Sequence, residues 1–156
     1  MFMKQLACIF LFCLLLSGCE KPFCQKETSD EVSGIALRVV GDGTYLAYQE
    51  GVGDLNRNGM HISTETEYQQ VFNYCCAGRL ESIDFTQYDV LGLSTVNRGT
   101  RSTYLRDVQI DEKNKKVVYT VTERYCRRSS PVLGQGNFVL VPKLPSGYTI
   151  EYIRNQ

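Results

Sequence analysis

Two alternating stretches, Thr103–Asp111 and Lys116–Cys126, flank the polar run Glu112-Lys113-Asn114-Lys115 and constrain the fold more than any other feature. Side chains on a strand point to opposite faces in turn. Pairing Ile110 with Val117 puts Tyr104, Val108, Ile110, Val117, Tyr119 and Val121 on one face. Asp107, Gln109, Thr120, Thr122 and Arg124 fall on the other. A hairpin with one apolar face cannot stand alone in water, so it requires a second layer over that face.

The rest of the chain supplies candidates for that layer. Asp89–Val96 and Phe138–Val141 are apolar enough to be buried on both faces. Pro142 ends the second run, Pro145-Ser146-Gly147 turns the chain, and Tyr148, Ile150 and Tyr152 alternate in a last strand. Ile35–Val40 and Tyr45–Glu50 flank Asp42-Gly43, a strong hairpin signal. In that hairpin Ile35, Leu37, Val39, Leu46 and Tyr48 share a face. Thr64 stands three residues before Glu67, the spacing of a capping box, and Tyr68, Val71 and Phe72 recur at helical spacing. The pattern predicts one helix over about 65–74. About seven strands and one helix predict an α+β fold, mostly antiparallel β, built as a sandwich or an open barrel.

The N-terminus carries a different signal. Lys4 precedes an unbroken apolar run, Leu6–Leu16, followed by Ser17-Gly18-Cys19. A run of this length is too short to span a membrane, which takes about 20 residues, and suits a cleaved leader. Leu16-Ser17-Gly18-Cys19 resembles the lipobox of bacterial lipoproteins. The resemblance implies that 1–18 is removed and that Cys19 becomes an acylated N-terminus. Residues 19–32, polar and without period, then read as a tether, and 33–156 as a single β-rich domain. The implied location is the bacterial envelope, lipid-anchored (outer membrane, periplasmic or cell-surface side), with the membrane and the face left open.

That compartment reassigns the seven cysteines. Cys8 and Cys13 leave with the leader and Cys19 takes lipid. Cys24, Cys75, Cys76 and Cys126 remain in an oxidising environment, where disulfides are the default. Cys75 and Cys76 are adjacent, too close to bond each other comfortably. The expectation is Cys126 with Cys75 or Cys76, and Cys24 with the other. Charge is balanced: the leader holds one of the 17 Lys and Arg, leaving 17 − 1 = 16 against 17 acidic residues. That balance excludes a nucleic-acid footprint.

Candidate chemistry is sparse. Asp54, Asn56, Asn58, Gly59 and Glu65 match the spacing of a calcium loop. Alternating oxygen ligands would wrap the ion and the last Glu would supply two oxygens. The competing reading is an Asn/Gly-rich loop running into a helix cap. No other cofactor is implied. His61 is the only histidine and has no recognisable nucleophile context. Arg98, Arg101, Arg106, Arg124, Arg127 and Arg128 lie on or beside the hairpin, with Arg124 opposite Thr103. Arg98, Arg101, Arg124 and Arg127 are the candidate contacts to an anion, a glycan or a partner. The alternative is a solvated rim.

The helix Thr64–Tyr74, Ile83-Asp84-Phe85-Thr86 leading into Val90-Leu91-Gly92-Leu93, the strands around Asp111–Lys116 and the closing Phe138–Pro142 together resemble the PrcB-like domain. That family accompanies a surface protease complex, and the resemblance implies an accessory role without catalytic residues. The expected function is a lipid-anchored, non-enzymatic binding or accessory module. The alternatives are a regulator or inhibitor of an envelope protease, and a small envelope hydrolase. The expected partners are the membrane, through Cys19, and an envelope protein or glycan.

Overall fold

The computed structural model describes Cys24 and residues 29–41, 58–76, 80–128 and 134–155, with the backbone alone at 73–76. Among these residues, ten strands and one helix follow in the order β1 (Glu31–Gly34), β2 (Arg38–Val39), β3 (Met60–Ile62), α1 (Glu65–Cys76), β4 (Tyr88–Val96), β5 (Gly99–Thr100), β6 (Thr103–Asp111), β7 (Lys116–Arg124), β8 (Arg127–Arg128), β9 (Gly134–Pro142) and β10 (Thr149–Asn155). The fold is α+β and mostly antiparallel.

The strands make two four-stranded sheets, β1-β6-β7-β10 and β2-β9-β4-β3, and a small ribbon, β5-β8. The β6–β7 hairpin has the predicted register, with Ile110 opposite Val117 and Thr103 opposite Arg124. Its inner face supplies Tyr104, Val108, Val117, Tyr119 and Val121, which pack with Leu91, Leu93, Val139 and Val141 of the second sheet. The opposite face of that second sheet supplies Val90, Phe138, Leu140 and Ile62, which pack with Tyr68, Val71 and Phe72 of α1. The order of layers is therefore sheet, sheet, helix. β4 is buried from Asp89 to Thr95 because it lies in the middle layer.

The helix starts as the spacing predicts. The Glu67 amide donates to Thr64 Oγ1 (3.2 Å), and the Thr64 and Ser63 amides donate to Glu67 Oε2 (3.1 and 2.9 Å). These bonds satisfy amides that a helix end leaves unpaired. They also hold the Glu67 carboxyl below its ordinary range, the Ser63 amide foremost. The depressed value makes this contribution complete above the unfolded carboxylate pKa, and it is lost as pH falls through the folded one.

One expectation needs correction. Ile35–Val40 is not one strand. The chain leaves the first sheet at Gly34 and joins the second at Arg38, where Leu37 N donates to Leu140 O (2.9 Å). The crossing breaks the alternation: Ala36 and Val40 are buried and Leu37 is 51% exposed, the reverse of the predicted face. Gly34 permits it, with φ +68° and no room for a Cβ beside the Val108 carbonyl. The turn at Asp42-Gly43 and the strand expected at Tyr45–Glu50 lie outside the described residues. β9 belongs to the second sheet, so the chain crosses layers and β10 runs parallel to β7, Thr149 opposite Lys116. β1 likewise runs parallel to β6, with Glu31 opposite Leu105. Two residues of the predicted tether, Glu31 and Val32, thus lie within a sheet.

Candidate functional site

One end of the sandwich gathers the C-terminal ends of β4, β7 and β10, the start of β6, and the β5–β8 ribbon. In the ribbon Gly99 pairs with Arg128 and Thr100 with Arg127, and the Cys126 amide donates to Thr100 O (3.1 Å). Gly99 is required here: a Cβ would overlap the Tyr125 side chain.

Glu123 shapes the adjoining loop from inside. It is 5% exposed, on the buried face of β7. Its Oε1 accepts the Arg98 amide (2.9 Å) and the Ser102 hydroxyl (2.7 Å), while Ser102 also reaches Gly99 O (3.1 Å). A buried carboxylate thereby folds 98–102 back on β7, leaving the Arg98 and Arg101 side chains outside. Arg98, Arg101, Arg124, Arg127 and Arg128 are all exposed at this end. Val96, 40% exposed, stands beside them at the end of β4.

Arg106 is a correction to the predicted arginine group. It is 1% exposed, because it shares the parity of Tyr104 and Val108 and points between the sheets. Its Nη1 lies 2.8 Å from Asp30 Oδ2, its Nε donates to Asn137 Oδ1 (3.1 Å), and its guanidinium carbon sits 5.4 Å from the Tyr104 ring centroid. Asn137 continues the network to Thr95 Oγ1 (3.0 Å), and the Tyr119 hydroxyl donates to Asn137 O (3.1 Å). Nε is hydrogen-bonded, whereas Nη1 is held by the Asp30 carboxylate at ion-pair distance without a hydrogen bond of good geometry, so charge pairing offsets much of the cost of burying this guanidinium. Burial, reinforced by Glu123, pushes the Tyr104 phenol up to about 12, so it stays a neutral donor, to Asn97 Oδ1.

Cys24 bonds to Cys126, with a Cα–Cα distance of 5.5 Å, inside the usual range of about 4.4–6.8 Å. Arg101 Nη1 donates to Cys24 O (3.3 Å). This pairing corrects the expectation of Cys126 with Cys75 or Cys76. Those two end α1, on the far side of the second sheet, whereas Cys126 follows β7 of the first. Packed layers are spaced by about 10 Å, well beyond disulfide reach.

The remaining candidates fall elsewhere. Asp54 and Asn56 lie outside the described residues. Asn58 is exposed, and Glu65 opens α1 and accepts the Gln69 amide (2.9 Å). Among the described residues no group of three His, Cys, Asp or Glu could hold a metal. His61 lies in β3, with Nε2 3.3 Å from Asp89 Oδ2. Asp89, 1% exposed, also takes Lys143 Nζ on Oδ1 (2.8 Å) and the Leu144 amide on Oδ2 (2.9 Å). It locks the chain as it leaves β9.

No family model, curated protein or solved structure matches this chain.

Proposed function

We propose that the protein is a lipid-anchored, non-enzymatic binding or accessory module of the bacterial envelope, held by acylated Cys19 and presenting a disulfide-stapled domain. The observation that carries this reading is the Cys24–Cys126 bridge, five residues beyond the lipobox cysteine. A disulfide suits an oxidising compartment, the one a lipoprotein leader implies. The buried charged groups also support a structural rather than a chemical use. Asp89 secures the exit of β9, Glu123 shapes a loop, and Arg106 joins β6 to the segment before β1.

Replacing Cys19 tests the anchor. Cys19→Ala should either release the protein from membranes or leave the leader uncleaved, as cell fractionation and intact mass will show. A variant with wild-type processing and wild-type membrane content would remove the basis of the proposal. A pull-down from envelope extract then separates the partners: one co-purifying protease favours the regulator, and glycan retention favours a binder.

A further inference from the structure

We infer that the arginine-rich end of the domain rests on the headgroups of anionic phospholipid, so that anchor and basic surface engage one membrane together. The inference depends on the lipid-anchor reading above. Five peptide bonds connect Cys19 to Cys24. A chain gains at most about 3.6 Å per residue, which keeps Cys24 within about 18 Å of the acylated sulfur. Cys24 is bonded to Cys126, beside β8, and touches Arg101. The bridge therefore brings this end of the sandwich to the membrane. The opposite end, at the β6–β7 turn, stands about 27 Å farther away, the length of β6 at ~3.4 Å per residue.

Charge at this end matches such a surface. Arg98, Arg101, Arg124 and Arg128 are exposed, with Arg127 beside them. The nearby acids offset part of this. Glu123, which accepts a neutral amide and a hydroxyl, and the exposed Glu31 are two negative charges against five arginines among the described residues, while Asp30 is paired with Arg106. In 20–28, Glu20 and Glu27 are balanced by Lys21 and Lys26. Exposed charges act over a Debye length of about 8–10 Å in physiological salt, a distance well within the tether's reach. An isolated patch of this size binds weakly, but tethering turns its contact into an intramolecular event. Val96 adds an apolar side chain at the same rim.

The test uses the lipidated protein, purified from membranes and reconstituted into vesicles of phosphatidylcholine alone or mixed with phosphatidylglycerol. The chain has no tryptophan, so Thr100→Trp in the ribbon reports exposure to acrylamide. Quenching should drop on the anionic vesicles relative to the neutral ones. It should recover in about 0.5 M NaCl, where the Debye length shrinks to roughly 4 Å. Substituting Arg98, Arg101, Arg124 and Arg128 with Gln should abolish the protection, since each arginine near an anionic surface shifts the contact equilibrium about fivefold. Equal quenching on both vesicles, or protection that survives the four substitutions, overturns the inference while leaving the anchor intact. Failure to float with either vesicle would instead defeat the anchor reading.

Discussion

Cys126→Ser is expected to lower the stability of the domain by about 2–5 kcal/mol. The bridge joins residues 102 apart in sequence. In the chain-entropy model a closed loop of this size restricts the unfolded chain by about 4.7 kcal/mol, near the top of the usual range. Its loss also frees the segment leading to Asp30, whose carboxylate pairs with Arg106 and accepts the Tyr104 amide (2.9 Å). At about 3 °C per kcal/mol for a domain of this size, Tm should fall by roughly 6–15 °C. Reducing agent should impose the same loss on the wild-type protein and add little to the variant. Unfolding midpoints that coincide for wild type and variant would show that Cys126 is not structurally bonded.

Phe138→Ala should cost about 3–5 kcal/mol, the range for removing a buried phenyl ring. Phe138 is 2% exposed and lies opposite Gly92 on β4, where its ring occupies the space a Cβ at Gly92 would need. Phe72 of α1 meets it edge-on at 4.8 Å, and Tyr68 stacks obliquely on Phe72 at 4.8 Å. Truncation therefore opens a cavity between the middle layer and the helix, leaving the inter-sheet core unchanged. Urea unfolding should show the loss. Hydrogen exchange should localise it: α1 amides exchange faster, while those of β6 and β7 change only with global stability. A larger rise in exchange for β6 and β7 than for α1 would contradict the layer order.

The hairpin at the centre of the fold was legible because its two strands alternate cleanly and only one register keeps both apolar sets together. The capping box at Thr64 and Glu67 was legible for a similar reason: a short-range bond has a short-range spacing. What could not be read depends on long-range geometry. Gly34 looks like any strand-edge glycine until the chain is seen to change sheets there. The parallel pairing of β10 follows from β9 joining the other sheet, which no local pattern announces. Parity did contain a missed signal. Arg106 shares the phase of Tyr104 and Val108, and Glu123 that of Tyr119 and Val121. Their charge suggested a surface, whereas their phase put them inside. The disulfide was misread because the distance from α1 to Cys126 depends on which sheet the helix covers.

An unreduced tryptic digest of the protein isolated from membranes tests the central claim most directly. The Lys21–Pro22 bond resists trypsin, so peptide 19–26 carries both Cys19 and Cys24, and Tyr125–Arg127 carries Cys126. The predicted species is one cross-linked pair, 19–26 bonded to 125–127, with acyl mass on Cys19 and release of the short peptide on reduction. Peptide 58–79, which holds Cys75 and Cys76, bonded instead to 125–127, or a 19–26 peptide without lipid, would contradict the account.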